Sequence, residues 1–439
     1  MGERRFHMKL LVAIFAIVTI GFSAEFFYEF SRAVDPATGA PLRWSDLALT
    51  GAMARGVTSP FARAYNNILA LLLTFIALAV PLTANLYTPK LIDIFLRDRV
   101  NLAVLCGGAI LAAHSILAAT LTFDNFVSHL AFWVSCIGAM IGWTILIPYY
   151  FYVLSFLNPV TIIDRVRASL VREFHALAEG RLPIPVAQRR LNQEILNLGN
   201  VIIRAVERAD RDVSVDSINA LVAACVEFQK VKPRIAARFF VITEELFTGM
   251  SSAAIEIVND ARIWVEQKML NQLALAYNAA LAKMPDAVSA ISDAVKDLAH
   301  LAAKAGASRE TVDLHVRFLN NFMREAIKKK DIHAIYDVFY QFKSLTRRLT
   351  GEDTEWACRL LRHLRYYADF AKASGLPFIY ELSSYELADL TEWAYERESE
   401  AAPQFLAAML AFEGVESSVR LVKSRLIIGS YFFDRALGR

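Results

Sequence analysis

Four long apolar runs crowd the first third of the chain, and they restrict its fold more than any other feature. Positions 10–30, 68–86, 102–122 and 129–157 each come near the roughly 20 residues that a helix needs to cross a bilayer. Hydrocarbon offers backbone groups no water, so segments of this kind must pair their own N–H and C=O groups as helices. Apolar residues make up 56% of the 439-residue chain, and mean hydropathy is +0.36. Both values are high for a soluble protein. From about Thr161 onward, charged and apolar residues alternate at helical spacing and no run approaches spanning length. The expected class is therefore all-α. A four-span membrane domain over 1–159 precedes a cytoplasmic all-helical domain over 160–439.

The first run raises the question of a cleaved leader, because MGERRFHMK is a basic segment before an apolar core. Phe22 stands where a small residue belongs for cleavage after Ala24, so retention as an anchor is expected. Orientation follows from Lys and Arg near the span ends. Arg4, Arg5 and Lys9 precede the first run, Lys90, Arg97 and Arg99 separate the second and third, and Arg165, Arg167 and Arg172 follow the fourth. Those groups share one side if both termini are cytoplasmic. The loop Ser31 to Tyr65 also carries Arg32, Arg43, Arg55 and Arg63, and its Pro, Gly and Thr content predicts turns.

Within the membrane domain, Thr88 to Asn101 is the one cytoplasmic connection. Pro89 suits a first helical turn. Leu91, Ile92, Phe95 and Leu96 form a stripe apart from Lys90, Asp93, Arg97 and Asp98, which predicts a short amphipathic helix at the interface. It reads either as an interfacial linker or as a coupling elbow, built from Pro89, Lys90, Arg97, Asp98 and Arg99, against which the soluble domain docks.

The stretch from Asn67 to Arg99 resembles the signature hairpin of a bacterial predicted-membrane-protein family, domain of unknown function 2254. Pro89, Lys90, Leu91, Ile92, Phe95, Arg97, Asp98 and Arg99 take the places of that family's Pro-Arg-Leu-Leu, Phe, Arg-Asp-Arg pattern. Phe126 to Trp133 is similar too, and Leu198 to Leu221 is a weaker echo. The Gly-rich segment that follows the fourth span in that family has no counterpart here. The resemblance implies this topology in a bacterial inner membrane, and no activity.

Polar residues inside the runs are costly and so invite a reason. Thr74, Pro81 and Asn85 lie near one face of the second run and are candidate pore-lining residues, with Pro81 expected to kink or unwind the helix. Interhelical packing is the alternative role for such residues. His114, among small residues of the third run, is a candidate gate or a neutral partner for a neighbouring helix. Glu25 and Glu29 read as an acidic mouth or as water-facing members of an aromatic belt. Gly108 with Ala112, and Gly138 with Gly142, are small-xxx-small pairs that let helices approach closely. With few ionisable groups, four short spans enclose little, so any pore would need a homo-oligomer.

The soluble part reads as helices broken at 180–185, 211–216, 232–233, 284–286, 306–308, 330–331, 351–353, 374–377 and 399–403. A long run from Arg234 to Met284 is interrupted around 248–252. Similar lengths and short turns after Asp286 predict stacked antiparallel helix pairs, which usually present surfaces to protein partners. Asp331 is expected to cap one helix, and Ser383 with Glu386 to form a capping box. The basic, aromatic stretch Trp356 to Tyr367 is blunted by nearby acids, so a solvated helix face is expected and nucleic acid is not.

Four scattered Cys and eight His lack metal-ligand spacing, and phosphate-binding, dinucleotide and nucleophile-elbow motifs are missing. No cofactor, metal or enzymatic activity is expected. The leading reading is an oligomeric channel or transport-type pore with a regulatory helical domain. The alternative is a membrane-anchored helical scaffold or accessory subunit of a larger membrane complex.

Overall fold

The computed structural model describes residues 50–86, 90–123, 126–242, 246–247, 250–351 and 353–412, with Tyr28, Pro41 and Gly429 besides. Among these residues the regular elements are helical, and β structure is limited to an isolated bridge between Phe123 and Phe126. The run at 10–30, expected to be the first span, lies outside the described residues apart from Tyr28. By contact density the chain divides into two compact units, Met1–Ile162 and Ile163–Arg439.

The first unit is built on α1 (Gly51–Leu86), α2 (Lys90–Arg97), α3 (Arg99–Thr120) and α4 (His129–Phe156). By length and composition α1, α3 and α4 could each cross a membrane. Helix α1 packs against both α3 and α4. Two N-caps set the starts of α3 and α4. The Asp98 carboxylate accepts from the Val100 and Asn101 amides at 3.0 and 3.2 Å, and the Ser128 hydroxyl accepts from the Ala131 amide at 3.3 Å.

Helix α1 corrects the expected turns before Tyr65. It begins at Gly51, where Thr50 Oγ1 accepts from the Met53 amide at 3.3 Å, and it runs through Pro60. Gly51, Gly56 and Pro60 lower the intrinsic propensity of 51–66, so the buried face of Ala54, Thr58, Ala62 and Tyr65, at helical spacing, holds this part helical. Pro81 does not unwind the helix either, since α1 continues to Leu86. A single missing N–H removes one hydrogen bond and leaves its neighbours intact.

The second unit contains most of α5 (Pro159–Ala178), then α6 (Ile184–Glu207) and α7 (Arg211–Val231), two 3₁₀ turns at Lys232–Arg234 and Ala237–Phe240, and α8 (Ser252–Asp260). It continues with α9 (Trp264–Ala280), α10 (Pro285–Lys304), α11 (Arg309–Lys329), α12 (Ile332–Thr350), α13 (Thr354–Ala373), α14 (Pro377–Glu396) and α15 (Ala402–Leu410). The apolar periodicity explains the burial. On α6, Leu191, Ile195, Leu198, Ile202 and Val206 recur at three and four spacing and all lie in the core. Large rings fill the joints, with Phe174 against Phe228 at 5.1 Å and Tyr277 stacked on Phe322 at 4.2 Å between centroids.

Several expected breaks shift. The one placed at 211–216 falls at Ala209 and Asp210, where Ala209 has φ 56 and the Asp210 carboxylate caps the Val213 amide at 3.2 Å. Asp212 and Asp216 are instead the exposed face of α7. The run from Arg234 to Met284 has a further break at Ala261–Ile263, where Arg262 has φ 55. Asp331 caps α12 by accepting from the Ala334 amide at 3.1 Å, and its other oxygen accepts from the Ala282 amide at 2.8 Å. Ser383 is not a cap. It lies buried inside α14 and its hydroxyl donates back to the Ile379 carbonyl at 2.6 Å.

Buried polar groups in the second unit generate two predictions. Gly199 on α6 faces α9 so closely that a Cβ there would meet Gln272 Cγ at 2.5 Å. Gly199→Ala is expected to lower stability by about 1–3 kcal/mol, read as the unfolding midpoint of the detergent-solubilised chain. His315 is fully buried on α11, and its Nδ1 lies 2.7 Å from the Thr311 carbonyl. Burial first, with the nearby Lys232 charge adding to it and the Thr311 bond opposing, lowers its pKa from 6.5 to about 4. The unfolded state therefore binds the proton first as pH drops. This stability is whole above about pH 6.5 and is lost as pH falls toward 4, in all on the order of 3 kcal/mol. His315→Gln, which does not titrate, should flatten the slope of unfolding free energy against pH across that window.

Candidate functional site

Two places gather the residues that could carry function, the contact faces of the three described spans and a cleft in the helical unit. In the spans, the small residues of α3 and α4 make room for α1. A Cβ at Gly142 would meet Tyr65 Oη at 2.5 Å and its ring carbons at 2.8 and 3.0 Å, and one at Gly138 would meet Leu111 Cδ2 at 2.7 Å. Tyr65 fills that notch, and its hydroxyl donates to the Gly138 carbonyl. Ala112 and Ala139 are buried beside it, with Phe61, Leu69 and Leu111 packed around them. Gly108 faces Leu69, whose Cδ1 would lie 3.6 Å from an added Cβ. Both small-xxx-small pairs are thus occupied by contacts within one chain.

The candidate pore residues lie on the other side of α1. Thr74, Pro81 and Asn85 are exposed, with Leu71 and Leu78 beside them at 70% and 67% exposure. Thr74 turns its hydroxyl back to the Ala70 carbonyl at 2.8 Å, which satisfies its proton without a neighbouring helix. The stripe therefore faces away from α3 and α4. His114 points inward by contrast, with its Nδ1 3.3 Å from the hydroxyl oxygen of the buried Ser135 on α4. The candidate gate is thereby a bridge between α3 and α4.

The elbow residues divide in the same way. Pro89 lies outside the described residues, and Lys90 begins α2. Leu91 and Phe95 are buried, and the Phe95 ring meets Phe156 of α4 edge to face at 5.1 Å. Ile92 and Leu96 look outward at 36% and 62% exposure, and Arg97 and Arg99 are exposed too. Asp98 accepts from the Tyr152 hydroxyl at 2.8 Å in addition to capping α3, and Asn101 Nδ2 donates to the Phe95 carbonyl at 3.1 Å. The buried half of α2 is docked on the end of α4.

In the helical unit, sequence reasoning missed a cleft of about 310 Å³ formed by α8, α9 and α11. Its apolar wall includes Val258, Ile263, Leu314 and Phe318, all buried, and Ile257 stands at 58% exposure along it. Gln267 and Asn271 of α9 and Asn321 of α11 line it with carboxamides. Among the described residues these three side chains engage in no hydrogen bond. Arg317 also lines the cleft, but Asp313 holds its guanidinium at 2.6 and 2.8 Å. The sequence signal was Gln267 and Asn271, spaced one helical turn apart between apolar residues.

The basic stretch on α13 is pinned internally. Arg359 lies over the Trp356 ring at 4.6 Å and pairs with Asp313 at 3.4 Å, and Arg365 pairs with Asp369 at 3.1 Å. Desolvation lowers the His363 pKa against the pull of Asp313. Cys225 is fully buried, which pushes its thiol pKa up, and Glu266 beside it acts in the same direction. Among the described residues no three His, Cys, Asp or Glu side chains form a metal-sized group. No family model, curated protein or solved structure matches the chain.

The notch in α4 yields a prediction of its own. Gly142→Leu should drive Tyr65 out and separate α1 from α4, while Tyr65→Phe, which removes one bond, should cost about 0.6 kcal/mol. Cysteine pairs placed across the α1–α4 contact would report the difference, with cross-linking lost in the first variant and retained in the second.

Proposed function

We propose that the protein is a membrane-anchored helical scaffold of the bacterial inner membrane, or an accessory subunit of a larger membrane complex, which works by holding a protein partner. Four spans, counting 10–30 as the first, would place both termini and the helical unit on the cytoplasmic face. The stacked antiparallel pairs after Asp286 would supply the surface. Kinship with the family of domain of unknown function 2254 is part of this proposal and rests on the hairpin residues 67–99. The observation that carries the reading is the filled interior of the described spans. Tyr65 plugs the Gly138–Gly142 notch, His114 is turned to Ser135, and Thr74, Pro81 and Asn85 of α1 face outward.

The outward stripe favours a second reading, an oligomeric pore. Within each apolar span window 17% is buried in the chain, so most of each helix is left for lipid or for other copies. In a homo-oligomer Thr74, Pro81 and Asn85 could face one axis, and the Pro81 position would offer a carbonyl without its helical donor.

Reconstitution and cross-linking separate the two. Purified full-length protein in liposomes is expected to pass no more K⁺, Na⁺ or Cl⁻ than empty vesicles at any applied potential. In intact cells, a photoreactive residue at the exposed Tyr336 or Tyr340 of α12 should give a discrete adduct with another protein. A flux abolished by Asn85→Leu, in a protein that runs as an oligomer in detergent, would replace the scaffold by the pore.

A further inference from the structure

The cleft between α8, α9 and α11 has the chemistry of a site for peptide main chain. Its wall is apolar, and besides Arg317 its polar side chains among the described residues are the half-buried Gln267 and Asn271 and the exposed Asn321. A carboxamide carries both a donor and an acceptor, so one such group can take the N–H and the C=O of a single residue in an extended chain, which point to the same side. Spacing agrees with this use. Gln267 and Asn271 are four residues apart on a helix, an advance of about 6 Å. Alternate residues of an extended chain repeat every 6.6 Å or so.

Charge narrows the occupant. Among the described lining residues Arg317 is the cation, paired with Asp313, and none is a carboxylate. A charged side chain entering here would lose water without gaining a partner. We propose that this cleft binds an extended segment of a partner protein with small or branched apolar, uncharged side chains, gripped through its backbone by Gln267 and Asn271 on α9 and Asn321 on α11. The proposal rests on the scaffold reading and gives it a partner chemistry.

The probe is an immobilised array of nonapeptides built from Ala, Leu, Val, Ser and Thr, with a matched array carrying Asp or Lys at alternate positions. Full-length protein in detergent is expected to bind members of the uncharged set and not their charged counterparts. N-methylating two alternate amides of the tightest binder should weaken it about tenfold or more, because it removes main-chain donors while keeping every side chain. Asn271→Leu should weaken binding to a similar degree, and Ala274→Trp, which fills the cleft, should abolish it. If either variant fails to fold, the N-methylated peptide on the unaltered protein still decides. The idea is overturned if no uncharged peptide binds, or if N-methylation leaves affinity unchanged. Loss of peptide binding in Ala274→Trp while the cellular adduct at Tyr336 persists would likewise remove the cleft as the partner site and leave the scaffold standing. Absence of the adduct in the unaltered protein would count against the scaffold, whatever the array shows.

Discussion

The first unit depends on one close approach, the seating of Tyr65 in the notch left by Gly138 and Gly142. Lipid tails are as apolar as Leu, so helices gain little from hiding apolar side chains from lipid and associate through packing and a few hydrogen bonds. A ring lying where a Gly142 Cβ would otherwise stand, with Leu111 of α3 against Gly138, supplies the first, and a phenol donating to the Gly138 carbonyl supplies the second. That carbonyl has a second lone pair for its own helix, so the bond need not break a turn of α4. Around the ring, Ala112 of α3 and Ala139 of α4 keep the walls thin enough for Leu69 and Leu111 to close over it. A single aromatic side chain thereby sets the mutual register of three helices.

Asp98 shows how the charged elbow serves structure before anything else. One carboxylate accepts from two amides at the start of α3 and from the Tyr152 hydroxyl of α4, so it fixes where one span begins and where another passes. An acid at this end of α3 also meets the positive pole of the helix. Arg97 and Arg99 on either side remain exposed. The apolar stripe of α2 is packed along one edge, at Leu91 and Phe95, and exposed along the other, at Ile92 and Leu96.

Much of the architecture was legible because it rests on local chemistry. Asp331, Gly306 with Ser308, and Gly375 with Pro377 mark turns through backbone preferences that tertiary context seldom overrides. Errors came where a polar residue has two uses. Asp212 and Asp216 looked like a break and are a wet helix face, while Ser383 looked like a cap and is a buried hydroxyl that satisfies itself against Ile379. The α1 stripe was recognised, but its direction was not, because periodicity identifies a face without saying what that face meets. The notch partner was hidden for the same reason, since Tyr65 was counted into a loop. The cleft was illegible because its walls come from residues some 50 positions apart in the chain, brought together by the packing of α9 on α11.

The distribution of charge in the helical unit bears on what that unit can recognise. Its ions are largely spent on holding helices together. Lys343 of α12 meets Glu386 and Asp389 of α14, Arg347 reaches the same Asp389 at 3.0 Å, and Arg348 ties α12 to Asp297 of α10 at 2.7 Å. Breaking the pairs of Lys343, which is 12% exposed, would leave a largely buried charge unmatched, whereas the Arg348–Asp297 pair, about 40% exposed on both sides, contributes little. Neutral carboxamides carry a smaller penalty when water leaves them, and their directionality gives selectivity without long-range attraction. A net charge of +3 over 439 residues adds little steering of its own. Partner binding of the kind proposed for this unit would be governed by shape and hydrogen-bond register at short range, with a weak response to ionic strength.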